Sequence, residues 1–115
     1  MLPLSCAVYT RSVIAAGAVT QRRFVKTGGA QAAIQGEKVL GVSKYNAPDL
    51  GDLALDVLGS SVVEAGAAIP LDADVVTDAQ GRAIPATGAA GERVAGRALS
   101  VAPAAGSVFE ILLTP

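Results

Sequence analysis

Histidine is absent from this 115-residue chain, cysteine occurs once, and the only aromatic residues are Tyr9, Phe24, Tyr45 and Phe109. Without histidine the commonest general base and metal ligand is missing. Ser-His-Asp and Cys-His arrangements are therefore excluded. A single cysteine and no histidine also exclude the usual structural zinc sites. Cys6 alone cannot form an intrachain disulfide, so no oxidising compartment is implied. Glycine-rich fragments exist at Gly28-Gly29 and Gly36-Glu37-Lys38, but neither carries the Gly-Lys-Ser/Thr ending of a phosphate loop, and no Gly-x-Gly-x-x-Gly occurs. The first residues lack the basic and long apolar regions of a signal peptide. A lipoprotein-type cysteine is excluded too, because Cys6 is too near the start and Pro3 stands where a leucine is wanted. The longest uncharged run, Ala98 to Phe109, is broken by Pro103 and Gly106. It falls short of the roughly 20 residues that span a bilayer. A soluble protein with no enzymatic role, no cofactor and no metal is expected.

What is present is mostly aliphatic. Hydrophobic residues make up 51% of the chain, dominated by Ala, Val, Leu and Ile. One compact domain is the natural reading at this length. Each aromatic side chain buries roughly 150–250 Å², so a core with few of them gains little per residue. The 13 glycines add backbone entropy to the cost of folding. Such a monomer is expected to be marginal, and oligomerisation or docking on a larger surface would stabilise it. The net charge of −1 conceals an uneven distribution. Up to Lys44, Arg11, Arg22, Arg23, Lys26, Lys38 and Lys44 face Glu37 alone, whereas the later acidic residues face only Arg82, Arg93 and Arg97. Three readings follow: phosphate neutralisation in nucleic-acid binding, cancellation when folding mixes the halves, or docking of a basic segment on an acidic partner.

The chain repeats itself. Gly36-Glu37-Lys38-Val39-x-Gly41 recurs as Gly91-Glu92-Arg93-Val94-x-Gly96, and Ala47-Pro48-x-x-Gly51-x-Leu53 as Ala102-Pro103-x-x-Gly106-x-Val108. All pairs share one offset, which points to two copies of a structural unit. Gly41 and Gly96 fall inside strand patterns, where glycine marks a bulge or a close backbone approach. The Glu37/Lys38 and Glu92/Arg93 pairs are expected to be solvated ends. Leu50 to Leu58 fits either a strand or a helix by spacing, but its second copy, Ser107 to Leu113, is β-branched and aromatic, which decides for strand. Lys38–Tyr45 alternates as a strand, and Arg22 to Lys26 suits a short one. Val75-Val76-Thr77 and Arg82-Ala83-Ile84 flank Asp78-Ala79-Gln80-Gly81, a hairpin signature. Met1–Arg11 shows no clear period and reads as an extended arm, with a candidate strand around Ala7–Thr10. The expected fold is all-β: a small β-barrel or sandwich of two pseudo-repeated strand–turn–strand halves with an extended N-terminal arm. The arm is residues 1–11, the single β domain 12–115, and the halves about 13–59 and 60–115.

Candidate chemistry is sparse. Asp72-x-Asp74-x-x-x-Asp78 fails as a calcium loop because Val76 occupies the third ligand position and no glutamate closes it. Asp49, Asp52 and Asp56 could form a carboxylate pair with a helper, yet a two-carboxylate hydrolase needs a walled cleft and only Tyr45 is nearby. Phe24, beside Arg22, Arg23 and Lys26, is the sole candidate stacking platform for nucleic acid, and the core competes for it.

The run Val39-Leu40-Gly41-Val42, Pro48 to Gly51, Leu53 to Gly59, Ile69-Pro70-Leu71-Asp72-Ala73-Asp74-Val75-Val76-Thr77-Asp78-Ala79-Gln80-Gly81-Arg82-Ala83, Val94-Ala95-Gly96-Arg97-Ala98 and Gly106 to Leu113 resembles the capsid cement, or head decoration, proteins of tailed bacteriophages. The likeness covers the chain from about Val13 onward, and Asp-x-x-Gly-Arg-Ala after Val-Val is its sharpest part. It implies an all-β protein on the outer surface of a virion, bound to the major capsid protein and bridging neighbouring subunits, and present in the host cytoplasm before assembly. A homo-oligomer is implied, a trimer ahead of a dimer, with no cofactor, no membrane and no direct nucleic-acid contact. The family's N-terminal segment often reaches across to neighbours; here it departs from the usual start in carrying Pro3 and Cys6. The expected capsid or oligomer interface is Leu2, Leu4, Val8, Tyr9, Arg11, Arg22 and Arg23. The alternative from another class is a small β-barrel nucleic-acid-binding module using the basic N-terminal half.

Overall fold

The computed structural model describes residues 6–114, with Cys6 by its backbone only. Eight strands follow one another: β1 (Cys6–Ile14), β2 (Phe24–Val25), β3 (Gly41–Ser43), β4 (Asp52–Glu64), β5 (Asp74–Thr77), β6 (Ala83–Pro85), β7 (Gly96–Ala98) and β8 (Val108–Leu113). No helix occurs among the described residues. The strands form one sheet in the order β2-β3-β4-β8-β7-β5-β6, all antiparallel, with β1 added alongside β4. The ends of that order meet. The Phe24 N–H donates to the Gly81 carbonyl at 2.7 Å, and the Gly66 N–H to Ala83 at 2.8 Å. The result is a nearly closed small barrel.

The long central strand β4 organises it. Its Asp52–Ser60 half pairs with β1, and its Ser60–Glu64 part pairs with β8. The first half begins where the helix-or-strand ambiguity lay. The alternation Leu53, Leu55 inward against exposed Asp52 and half-buried Ala54 is the period of a strand. The boundary expected between the halves, at Gly59/Ser60, falls inside this strand. Likewise β1 runs across the arm boundary expected at Arg11: residues from Cys6 onward are laddered to β4, and residues 1–5 lie outside the described part.

The same backbone bonds recur in the two halves of the barrel. Val19 and Ala47 exchange hydrogen bonds at 2.8 and 2.9 Å, as Ile69 and Ala102 do at 2.8 and 3.0 Å. The Leu40 N–H donates to Val25 and the Ala95 N–H to Val75, both at 2.8 Å. Arg22 and Asp72 both take a left-handed backbone, φ 60° and 66°, and donate to Ser43 and Ala98 respectively. That conformation is uncommon outside glycine. The conserved-offset glycines act as close-approach points: a Cβ on Gly96 would sit 2.6 Å from the Leu112 carbonyl oxygen, and one on Gly41 would collide with that of Asp56. Strand β3 covers Gly41–Ser43 rather than the expected Lys38–Tyr45. Beyond Ser43 the Lys44 N–H still donates to the Ala54 carbonyl of β4 at 3.1 Å.

Phe24 and Phe109 are fully buried with Val63, Val75 and Ile111 in the larger core cluster, and Leu53 and Leu55 pack with Val19 and Val25 in the smaller one. Phe24 is therefore a core residue and not a stacking platform. Buried alanines at 65, 83, 95, 98 and 102 let the strands of so narrow a barrel approach.

Candidate interaction surface

Strand β1 is the least covered element. Its sequence, Cys-Ala-Val-Tyr-Thr-Arg-Ser-Val-Ile, is rich in β-branched residues, which suits a pleated strand. Pairing with β4 satisfies one edge; among the described residues no other strand pairs with β1. A register irregularity at Tyr9 locally offsets the ladder beside Gly59, which has φ 93°. Val8 is 81% exposed and Tyr9 48%, and Thr10, Arg11 and Ser12 are exposed as well. Neighbouring residues of a strand face opposite ways, so both faces of β1 are open to solvent from Val8 to Ser12, while Val13 packs against the smaller core cluster. A strand with an open edge is a template for pairing with another chain. Of the expected interface, the structure thus brings Val8, Tyr9 and Arg11 together; Leu2 and Leu4 lie outside the described residues.

The two arginines are placed elsewhere. Leu55 pairs with Arg11 on one edge of β4 and with Ser43 of β3 on the other. Arg22 is exposed on the β3 side, its N–H on the Ser43 carbonyl at 2.9 Å. The Arg22 carbonyl also accepts from the Glu64 N–H at 3.0 Å, toward the other end of β4 from the Leu55 that pairs with Arg11. Arg23 is occupied internally. Its guanidinium pairs with Glu64 at 3.2 Å and donates to the Gln80 carbonyl at 2.9 Å, tying β4 to the β5–β6 turn across the barrel seam. Its Nε is buried with no hydrogen-bond partner. Lys26 pairs with Glu37 at 3.7 Å and Lys44 with Asp56 at 3.0 Å. Half of the basic N-terminal set is neutralised within the fold, so the asymmetry of the sequence does not become a basic face of the same strength.

The repeated Gly-Glu-Lys/Arg blocks meet at one end of the barrel, where the Arg93 N–H donates to the Gly36 carbonyl at 2.9 Å. Lys38, Val39, Arg93, Val94 and Thr114 line an open cleft of about 370 Å³ there. The acids of the blocks lie at the surface, as solvated ends would, and Lys38 and Arg93 beside them are exposed, but each acid is also held by backbone donors. The Glu37 carboxylate accepts the backbone N–H groups of Ala33 and Ile34, both at 2.8 Å. Glu92 accepts those of Thr87 and Gly88 at 3.0 Å and the Thr87 hydroxyl at 2.8 Å. Each acid thus pins the loop that precedes it. Partial burial pushes the Glu37 carboxyl up, but the two backbone donors and Lys26 outweigh it and hold it below the ordinary value. Glu92 is held below it by the Thr87 hydroxyl and N–H, and by Gly88.

Three further carboxylates are held by groups of the fold. Asp78 accepts from the N–H groups of Gln80 and Arg82 and pairs with the Arg82 Nε at 3.0 Å, closing the hairpin turn. Asp49 caps the Gly17 N–H at 2.8 Å, while Asp56 is buried against the Ser61 hydroxyl at 2.7 Å. Asp49 and Asp56 thus serve separate places, and Asp52 is exposed at the start of β4. No group of three or more His, Cys, Asp or Glu able to hold a metal occurs among the described residues. Sequence reasoning did not single out one surface: an apolar corner where Ala68, Pro70, Val101 and Pro103 line a groove of about 340 Å³. Its signal was present in the uncharged run from Ala98 to Phe109.

This fold is similar to a solved structure, the head fiber gp8.5 N base of bacteriophage phi29, with a TM-score of 0.73 and 18% identity over 92% of this chain and 93% of that one. At that identity the likeness concerns the fold. No curated protein matches the chain. The model of the phage cement protein family matches residues 7–113, nearly the whole barrel together with β1, and the chain belongs to that family.

Proposed function

We propose that this protein is a capsid cement: it binds the outer surface of an expanded phage head, contacts the major capsid protein, and bridges neighbouring subunits. What carries the reading is the family match over residues 7–113, joined to a strand that is open on both faces from Val8 to Ser12. The capsid-facing surface is Val8, Tyr9 and Arg11 on β1, with Arg22 as a separate contact. The role is structural and needs no catalysis or cofactor. Its mechanism is additive. Each copy buries interface area, and a copy that spans two subunits makes shell opening break several contacts at once. Homo-oligomerisation, with a trimer as the expected state, multiplies those contacts. The nucleic-acid alternative loses support because Arg23, Lys26 and Lys44 are paired with acids of the same chain.

Adding the purified protein to undecorated, expanded heads should raise the temperature at which the heads release their DNA. An unchanged release temperature at saturating protein would overturn the proposal.

A further inference from the structure

Matching hydrogen bonds close the two turns that lead into β4 and β8. The Leu50 N–H donates to the Ala15 carbonyl at 2.9 Å, and the Gly106 N–H to the Ala65 carbonyl at 2.8 Å. The Ala15 N–H donates to Gly51 at 2.9 Å, and the Ala65 N–H to Ser107 at 2.7 Å. Within the turns, the Gly51 N–H returns to the Pro48 carbonyl and the Ser107 N–H to that of Ala104. Leu50 and Gly106 therefore hold the same place in the backbone, although the sequence repeat sets Gly106 against Gly51. Both are left-handed, with φ 65° at Leu50 and 89° at Gly106. A positive φ at the third position of a turn calls for glycine or asparagine, because a β-carbon crowds the following carbonyl there. Gly106 meets that demand and Leu50 does not.

Packing does not explain the leucine. It is 76% exposed, and a Cβ built on its counterpart Gly106 would meet no atom within 4 Å. A single exposed leucine needs no explanation. One held outward against its backbone preference does, and such strain collects at functional positions. Its surroundings point the same way. Val13 packs against the smaller core cluster and Ala15 belongs to it, which turns Ile14 between them outward, 56% exposed. Ile14 pairs with Asp52, two residues beyond Leu50. Ala16 and Pro48, next to the residues that these bonds join, are exposed as well. Ile14 is also the end of β1, so this apolar spot continues the surface that starts at Val8, about 20 Å away along the strand.

We propose that Leu50, with Ile14 beside it, is an apolar anchor that seats in an apolar pocket of the major capsid protein. The inference rests on the capsid reading and adds to it a contact residue outside β1. Continuity with Val8, Tyr9 and Arg11 assigns the anchor to the capsid rather than to a second copy of this chain.

Leu50→Gly and Leu50→Asn test it, because both residues accept the left-handed backbone. Free in solution, each variant is expected to keep a urea midpoint at least as high as that of the native protein. A lower midpoint in both would show that the leucine supports the fold, and would overturn the proposal. On expanded, undecorated heads, each variant is expected to co-sediment at least tenfold more weakly than the native protein. Native protein that does not bind overturns the capsid reading and this inference together. Variants that bind as well as the native protein overturn this inference alone. Sedimentation of the free proteins addresses the other occupant: a native oligomer that both variants lose would place Leu50 between copies, and would equally overturn the proposal.

Discussion

At the residue scale, two glutamates carry an unexpected share of the loop structure. Glu37 and Glu92 occupy matching places in the repeat, and each accepts backbone N–H groups from the loop before it. Both carboxyls are held below the value of 4.5 that they have when unperturbed. A carboxyl whose folded pKa is depressed contributes stability that is complete above the unfolded value and is lost as pH falls through the folded one. Stability is therefore expected to decline below about pH 4.5, and a Glu37→Gln, Glu92→Gln double variant should show a shallower decline. Urea midpoints measured from pH 6 to pH 3 check this, and parallel curves would contradict it. The recurrence of Glu was legible in the sequence but its use was not. An offset shows that a residue returns, whereas the donors it meets are set by how the loop folds back. The glycines were more transparent, because a missing Cβ has few purposes inside a strand. At Gly41 and Gly96 the purpose is a close backbone crossing.

At the element scale, β4 shows both what pattern can settle and where it stops. The Leu50–Leu58 segment was ambiguous alone, and comparison with the β-branched Val108–Leu113 resolved it as strand. The pattern did not reveal that the strand runs on to Glu64, across the division expected between the halves at 59/60. The buried serines are accommodated by polar partners. The Ser61 hydroxyl donates to Asp56, which is itself buried and paired with Lys44. Asp56→Ala would leave the buried Ser61 hydroxyl without this acceptor, and the cost of such a loss is about 1–3 kcal/mol. Lys44 is half open to solvent and adds little to that figure. Chemical denaturation of the variant measures it, and a change within error of zero would contradict the assignment. Strand β1 was visible only in part. Its alternation is weak because both faces are open from Val8 to Ser12, so Ala7–Thr10 alone read as strand.

At the scale of the whole molecule, the closed barrel compensates for a core with few aromatics by sharing the two phenylalanines among many small residues. Phe109 lies on β8 and Phe24 on β2, both fully buried in the larger cluster. Phe109→Ala should therefore cost about 3–5 kcal/mol, read as a lowered denaturation midpoint; a loss below about 1 kcal/mol would mean that the site is not packed as described. The all-β class was legible from short alternating runs and close turn signals. The seam was not, since Phe24–Gly81 and Arg23–Glu64 join residues far apart in sequence. The extended start of the chain was legible as an arm without period, whereas the internal pairing of Arg23 with Glu64 depends on residues far apart in sequence.

The central claim is that this barrel docks on a phage head through β1. Co-sedimentation with expanded, undecorated heads tests it most directly, comparing the native protein with a Val8→Lys, Tyr9→Lys variant whose changes are confined to exposed positions. The native protein should pellet with the heads to a saturating stoichiometry, while the variant, equally stable alone, should bind at least tenfold more weakly. Native protein that stays in the supernatant at saturating concentration, or a variant that binds as well as the native one, would contradict the account.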